Sequence, residues 1–494
     1  MGEEEGPRAP AKSILTEEKK ETLRSYMQLL MYMVLEASYG FNVLYIQPIA
    51  RSMKKGFDVT DNELSILLTL GSISSFLCFL PLIYIIVMKG LRVGVLVGLF
   101  MLTAGTFCEL FIQQSWGLIY VGHFIAHLGS PVFNIANAKF CSVWFGPKMR
   151  PLALTINAMM SSIGLMMAFI IPGMFVKTDD SQTADDIKTK VGYFHYFLMG
   201  LYGGMFVICF IFFKEAPDNY KTYVNEEQSI RANFKMFKQI GELIREPTFI
   251  CFVLVLGIGV TSIVINQLLI VQMMYPFDIS QENCQIGGAI IVFSGVVGSV
   301  TYSKTLIHLP NQLRKLKILY MLVLMVYTLY SYLPSTKSVG AFYLGCSLLG
   351  LFGMTQIAII VESMVKYIVL TGPQRLVIGT GVGQAVLSMC SGFFAFALKG
   401  FLAEQSIEGV YKINIFVLSS IMVTFVLGVF LQIGFETRIN KILRAANKAK
   451  RNQQLLPQAD LEDDERDKLV GSLAVEAVVK SRTNTGTLTQ QENA

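Results

Sequence analysis

Charged residues are scarce in this chain of 494 residues. Asp, Glu, Lys and Arg make up 15% of it, whereas an ordinary soluble domain carries about a quarter. The hydrophobic share is 53%. This composition excludes a soluble globular protein as the description of most of the chain, and it indicates that lipid surrounds it.

Several other features are missing. The eight cysteines contain no Cys-x-x-Cys pair, so neither a disulfide framework nor a structural zinc site is predicted. The first 25 residues lack the apolar core of a cleaved signal peptide. The net charge of +6 does not indicate nucleic-acid binding, because the basic residues concentrate in the tails and the central segment, as the positive-inside rule predicts. No nucleophile is paired with a base, so we expect no enzyme. We also expect no cofactor and no nucleic-acid partner.

About a dozen apolar runs are present instead, each near the twenty residues that a helix needs to cross a bilayer. They lie near residues 26–50, 64–88, 91–112, 116–145, 152–176, 191–213, 248–274, 286–306, 316–333, 339–368, 376–402 and 411–435. An even number of spans puts both tails on one side, and the charge distribution makes that side the cytoplasm. The sequence predicts an all-α, multi-pass membrane protein of the plasma membrane or an internal membrane.

The polar segment 214–247 divides the spans six and six, which is the plan of a transporter built from two repeated bundles. We predict an N-tail at 1–25, bundles at 26–213 and 248–435, a cytoplasmic linker at 214–247 and a C-tail at 436–494. Apolar residues at helical spacing predict an amphipathic linker helix that lies under the membrane domain; they are Ile230, Phe234, Phe237, Ile240 and Ile244. The C-tail opens with a basic run, Arg438 to Arg451, that suits anionic lipid headgroups, and we expect the rest to be disordered.

Polar side chains within the spans predict an internal cavity, because each costs a few kcal/mol in hydrocarbon unless it meets water or a partner. Most lie on spans one, four, seven and ten, the helices that usually line the cavity of a two-half bundle. In the fourth span His123, His127, Ser130, Asn134 and Asn137 are three or four residues apart and share one face. The predicted substrate cavity, without metal or catalytic residues, comprises Asn42, Tyr45, His123, His127, Asn134, Asn266, Gln267 and Gln356.

These residues also have structural interpretations. Any one Asn or Gln could hydrogen-bond a neighbouring helix for packing alone. His123 and His127 could ligate a metal or haem iron, or could be neutral and bonded to backbone carbonyls. Glu362, four residues before Lys366, is a candidate for gating or proton coupling, with a static ion pair as the alternative.

Several motifs together resemble one known family. They are Gly90-Leu91-Arg92 between spans two and three, the fourth span from Gly122 to Val143-Trp144-Phe145-Gly146-Pro147, Gly164 and Pro172 in the fifth, the stretch from Gly257 through Val260, Leu269, Gln272 and Met273 to Gly295 and Gly298, and Val361-Glu362. Over roughly Tyr26 to Phe435 the chain resembles the major facilitator family that contains the feline leukaemia virus subgroup C receptor and its relatives. The resemblance implies a twelve-helix fold of two six-helix bundles that works by alternating access. Members of that family are linked with choline, ethanolamine and haem movement.

The chain departs from the family at the substrate positions. In the choline-carrying members a Trp of the first span and a Tyr of the seventh cage the quaternary ammonium, with glutamines from the fifth and eleventh. Val43, Val264, Ser162 and Met389 stand at those places, and Val87 replaces the Asp of the loop between spans two and three. Cation–π capture needs an aromatic face, which valine lacks. Phe41 and Tyr45 are the alternative source of a displaced cage.

The sequence therefore predicts a monomeric secondary transporter, a carrier or facilitator of a small organic solute. The family resemblance suggests a choline-like, ethanolamine-like or haem-like solute. Two other functions stay open: a transport-dead receptor or scaffold with the same fold, and an amino-acid carrier of a neighbouring family.

Overall fold

The computed structural model describes residues 11–146, 149–176, 182–217, 236–303, 309–371, 375–403 and 406–454, and within these ranges it contains helices and no strands. The α-helices are α1 Ala11–Leu44, α2 Ala50–Phe57, α3 Asp61–Met88, α4 Leu91–Glu109, α5 Gly117–Gly129, α6 Pro131–Trp144, α7 Arg150–Phe175, α8 Ala184–Phe212, α9 Met236–Ile244, α10 Pro247–Met273, α11 Gln281–Ser303, α12 Leu309–Tyr332, α13 Val339–Leu349, α14 Thr355–Thr371, α15 Leu376–Ala403 and α16 Ile407–Gln454.

Twelve segments are long and apolar enough to cross a membrane, which confirms the predicted number. The first span joins α1 and α2, the fourth joins α5 and α6, and the tenth joins α13 and α14. The other spans are single helices, and α9 belongs to the linker. Spans one to six are called the first half and spans seven to twelve the second. The end of the domain where the first span begins is called the near end, and the end with residues 47–60 the far end.

The linker and the C-tail are described only in part. Phe237, Ile240 and Ile244 lie on α9, whereas Ile230 and Phe234 lie outside the described residues. The helix α16 continues to Gln454, so the basic run is helical. Contacts divide the chain into one unit that ends at Gly428 and a second that begins at Val429. The expected disorder of residues 455–494 lies outside the described part, and the predicted domain boundaries stay predictions.

Each of the three divided spans has a local cause for its break. The first changes from α1 to a 3-10 turn at Gln47–Ile49, which contains Pro48. In the fourth, Pro131 has no N–H to offer the carbonyl of His127 four residues earlier, and the Ser75 hydroxyl of the second span donates to that carbonyl at 3.3 Å. The tenth contains a π-helical turn at Gly350–Met354. Such turns occur frequently at functional sites.

Spans one and five pack closely through glycines. A Cβ on Gly40 would lie 1.9 Å from the carbonyl oxygen of Ser161, and one on Gly164 would lie 1.9 Å from that of Ala37. Only glycine permits such an approach of two helix backbones. The family-like Gly164 is therefore required for packing within the first half.

One acidic side chain, that of Glu215, organises the near end. The Glu215 carboxylate accepts from the backbone N–H groups of Leu91 and Arg92 at 2.8 and 2.6 Å, which caps the start of α4. Gly90, just before it, has a φ of 105°, and a Cβ there would lie 2.6 Å from Glu215. This contact stabilises the turn between α3 and α4, whereas Val87 is a buried residue of α3 itself.

The linker helix is fixed to the second half. Arg375 at the start of α15 forms an ion pair with Glu242 of α9. The Tyr367 hydroxyl donates to Glu246 at 2.8 Å. Within the described part of the linker, α9 is therefore held against the second half.

Candidate functional site

The two halves are joined at the far end by hydrogen bonds of two glutamines. Gln281, the first residue of α11, accepts from the N–H groups of Arg51 and Ser52 at 3.1 and 3.3 Å and donates to the Ser52 hydroxyl at 3.1 Å. Gln285 donates to the carbonyl of Pro48 at 2.9 Å. The Arg51 guanidinium donates to the carbonyl of Val271 at 3.2 Å. We call these six residues and their five hydrogen bonds the far-end seam.

Two loops of the second half meet beside this seam. Asp278 and Lys337 both have left-handed backbone conformations, with φ of 60° and 55°, and their side chains pair at 2.8 Å. The hydrogen bond and charge of Lys337 hold the pKa of the Asp278 carboxyl below its usual range. Because the pair is exposed, it orders the loops more than it stabilises the fold.

A second contact joins the halves nearer the middle of the membrane. Gln384 of the eleventh span donates to the hydroxyl of Tyr39 in the first at 2.8 Å. Glu36 lies one turn earlier on α1 and is 1% exposed. Its Oε1 has no hydrogen-bond partner within the described part of the chain. A buried, incompletely paired carboxylate in a membrane helix is costly and is therefore a candidate functional group.

Glu109, the last residue of α4, is a second buried carboxylate and is also 1% exposed. Its Oε1 accepts from the Tyr45 hydroxyl at 2.7 Å and lies 3.9 Å from Nδ1 of His123. Its Oε2 lies 3.8 Å from Nε2 of His195 in the sixth span. A Cβ on Gly122 would lie 2.5 Å from Cγ of Glu109, so that glycine makes room for the acid against the fourth span. Glu109, Tyr45, His123 and His195 form the Glu109 cluster.

The polar face predicted for the fourth span extends from this cluster towards the near end. The rings of His123 and His127 lie 4.3 Å apart, and Asn42 donates to the hydroxyl of Ser130 at 3.4 Å. Both histidines and Ser130 are buried, Asn137 is half-buried, and Asn134 is exposed. Asn137 also accepts from Asn157 of the fifth span at 2.8 Å.

Three of the predicted cavity residues lie in the second half, and all are buried. Asn266 accepts from the Tyr327 hydroxyl at 2.8 Å, and this hydroxyl also lies 3.0 Å from Asn414, so Asn266 has the contacts of a packing residue. Gln267 donates weakly to the sulfur of Met354 at 3.7 Å. The Gln356 amide, two residues after the π-turn, has no hydrogen-bond partner among the described residues. The cavity composed of these eight residues stays a prediction.

The remaining predicted positions are spread over the halves. Val43 and Val264, at the positions of the cage aromatics, are half-buried, as is Ser162, and Met389 is 52% exposed. Phe41 and Tyr45, the alternative cage, are buried and stacked on each other with centroids 6.0 Å apart. Glu362 is exposed, and the side chain of Lys366 lies outside the described residues. The gating or coupling role of Glu362 stays a prediction.

Sequence reasoning missed Glu36, Glu109 and His195. The signal for Glu36 was available, since it is a lone charge within an otherwise apolar first span. Glu109 and His195 occur near the ends of the predicted spans 91–112 and 191–213, where polar residues are common, and only the packing of spans three, four and six brings them together. Within the residues that the structure describes, no group of three or more His, Cys, Asp and Glu has a metal-binding arrangement.

Comparisons with known proteins agree on the class of this architecture. The family model of the Major Facilitator Superfamily matches residues 29–397. A solute carrier family 49 member 4 homolog of Xenopus tropicalis is 27% identical over 182 residues, which are 36% of this chain and 37% of that protein. The choline/ethanolamine transporter FLVCR1 of Felis catus is 23% identical over 233 residues, 45% of this chain and 41% of that protein. The chain thus spans well under half the length of these relatives.

Two solved structures show the same fold. A bacterial homolog of the human lysosomal transporter Spinster, inward-facing and occupied, superposes with a TM-score of 0.60 at 14% identity, covering 84% of this chain and 98% of that one. A D-xylose-proton symporter gives 0.58 at 9% identity, covering 82% and 95%. At such identities the likeness concerns the fold alone. The predicted fold and family resemblance are confirmed.

Proposed function

Because the chain belongs to the Major Facilitator Superfamily, we propose that it carries a small organic amine across a membrane by alternating access. The observation that carries the proposal is the far-end seam, a polar contact between the two halves that alternating access requires to open. The substrate class is supported by Glu36, by the Tyr39–Gln384 contact, and by the valines at the cage positions.

The far-end seam has the strength expected of a gate. Of its five hydrogen bonds, four use neutral groups only, and each such bond contributes about 0.5–1.5 kcal/mol net. When the seam opens, water replaces these hydrogen-bond partners, and no ion pair has to be broken. A seam of a few kcal/mol is within the range that the differential affinity of a ligand can overcome.

The buried carboxylate favours a particular kind of amine. An ammonium that carries N–H groups can donate charge-assisted hydrogen bonds to Glu36. A quaternary ammonium has no N–H and depends on aromatic faces, and Val43 and Val264 offer none. We therefore infer that a primary amine such as ethanolamine is preferred over choline.

Uptake into vesicles that contain the full chain tests this proposal. The probes are labelled ethanolamine, choline, haem and a neutral amino acid. We expect ethanolamine uptake to exceed choline uptake, and Glu36→Gln to lower both net uptake and exchange of ethanolamine by about tenfold or more, the loss of one charge-assisted bond of at least about 1.5 kcal/mol. Glu282→Gln, an exposed far-end acid, is the matched control.

Three outcomes would contradict the proposal. Absence of uptake for every probe would favour the receptor or scaffold, and selective amino-acid uptake would favour the amino-acid carrier. Choline uptake at least as fast as that of ethanolamine would refute the argument from the missing cage.

A further inference from the structure

The Glu109 cluster has no role in the amine site, which lies around Glu36 and Tyr39. All members of the cluster belong to the first half, on spans one, three, four and six. Several ionisable groups buried in contact with one another inside a membrane domain cost free energy, and such groups therefore usually have a function.

The groups around Glu109 indicate what it binds. Glu109 contacts Tyr45 on the first span, His123 on the fourth and His195 on the sixth, and among the described residues it forms no ion pair with Lys or Arg. A permanent cation would fix the acid as a static carboxylate. Histidines and tyrosines instead allow the charge of the cluster to be adjusted by a proton.

The hydrogen bond of His195 determines which of its two ring nitrogens can accept a proton. Its Nδ1 lies 2.8 Å from the carbonyl oxygen of Val191 and donates to it, so Nε2 of the neutral ring is a lone-pair acceptor directed at Oε2 of Glu109. Nε2 is buried and has no hydrogen-bond partner in the described part of the chain. One proton, held either by Oε2 or by Nε2, leaves the pair neutral overall, which is the state that a low dielectric favours.

The cluster is mechanically connected to the far-end seam. Tyr45 lies in the break between α1, which ends at Leu44, and the turn Gln47–Ile49. That turn is held by Gln285 through Pro48, and the next residues are held by Gln281. The residues that the seam holds therefore follow closely after the residue that donates to Glu109, so we expect opening of the seam to move the Tyr45 hydroxyl.

We propose that the Glu109 cluster is the proton-binding site of this carrier, and that its occupancy couples amine movement to a proton gradient. On binding, an O–H bond forms at Glu109 with a proton from water at the far end. On release that bond breaks and the proton returns to water, with no electron transfer. The polar face of the fourth span, from His127 to the exposed Asn134, provides the route towards the near end. The proposal rests on the proposed transport function for its coupling but not for its proton binding.

Proton binding is tested without any substrate. Infrared difference spectra of the full chain in lipid, from about pH 4 to about pH 9, report the carbonyl band of protonated buried carboxyls. We expect one pH-dependent component to disappear in Glu109→Gln and to persist in Glu36→Gln and Glu282→Gln. Tyr45→Phe removes only the donor to Oε1 and is expected to move that component in frequency while the chain stays folded. An identical pH-dependent band in wild type and Glu109→Gln refutes the proton site.

Coupling is tested with labelled ethanolamine in proteoliposomes. We expect Glu109→Gln to keep exchange within about twofold of wild type, and to lose accumulation driven by a pH gradient by about tenfold or more. Glu36→Gln is expected to lose both. Gradient-driven accumulation that survives in Glu109→Gln overturns the coupling role. If ethanolamine is not carried at all, the proposed substrate fails while the infrared result still decides the proton site.

Discussion

Removing the Gln281 side chain should open the far-end seam. Gln281→Ala deletes three hydrogen bonds between the halves, to Arg51 and twice to Ser52. At about 0.5–1.5 kcal/mol each, the loss is about 1.5–4.5 kcal/mol, which corresponds to a rise of about 10-fold to 2,000-fold in the ratio of open to closed seam.

The chain carries a native reporter of this opening. Cys284 is completely buried and lies on the same helical face as Gln281 and Gln285, because these residues are three or four apart. We expect the rate at which a hydrophilic thiol reagent modifies Cys284, measured by peptide mass spectrometry, to rise with the open fraction in Gln281→Ala.

The matched control lies two residues away. Asn283→Ala removes a hydrogen bond from Tyr343 of 2.9 Å that stays within the second half. It should leave the modification rate within about twofold of wild type, because no bond between the halves is lost. Equal rates in Gln281→Ala and wild type would show that these hydrogen bonds do not hold the far end closed.

Two further predictions concern packing and exposure. Gly40→Ala should lower the free energy of unfolding by about 1–3 kcal/mol, because its Cβ would collide with the Ser161 carbonyl, whereas Gly200→Ala, with open space around it, should not destabilise the protein. Thermal unfolding in detergent measures both variants, and equal melting temperatures would contradict the close packing of spans one and five. Cysteine at Asn134, which is exposed, should react with a hydrophilic thiol reagent at least about tenfold faster than cysteine at the buried Ser130. Comparable rates would show that the polar face of the fourth span is not buried at Ser130.

Much of the fold was predictable because the bilayer imposes simple rules. Apolar runs near twenty residues gave all twelve spans, and the polar segment 214–247 separated the halves. The breaks were harder to predict. Pro48 marks the first, yet only the structure reveals that the chain continues as α2 to Phe57 before the far-end loop.

The candidate site was less predictable, because hydrogen-bond partners depend on how helices rotate against each other. Tyr45 was predicted to line the substrate cavity, and nothing in the sequence indicated that its hydroxyl donates to Glu109 of a different span. Asn266 likewise bonds Tyr327 inside the second half. Helical spacing determines which residues share a face, as it did for the fourth span, but not which helix that face meets.

The π-turn at Gly350–Met354 has a consequence for how this chain can vary. Such a turn holds one residue more than an α-helical turn of the same height, and one residue corresponds to about 100° of rotation about the helix axis. Deleting a single residue there would restore regular winding but turn everything on one side of it, so that Gln356 would be carried to another face of its helix. Insertions and deletions within these five positions therefore rotate one part of the tenth span relative to the other. We expect related chains to tolerate substitutions in this turn more readily than a change in its number of residues.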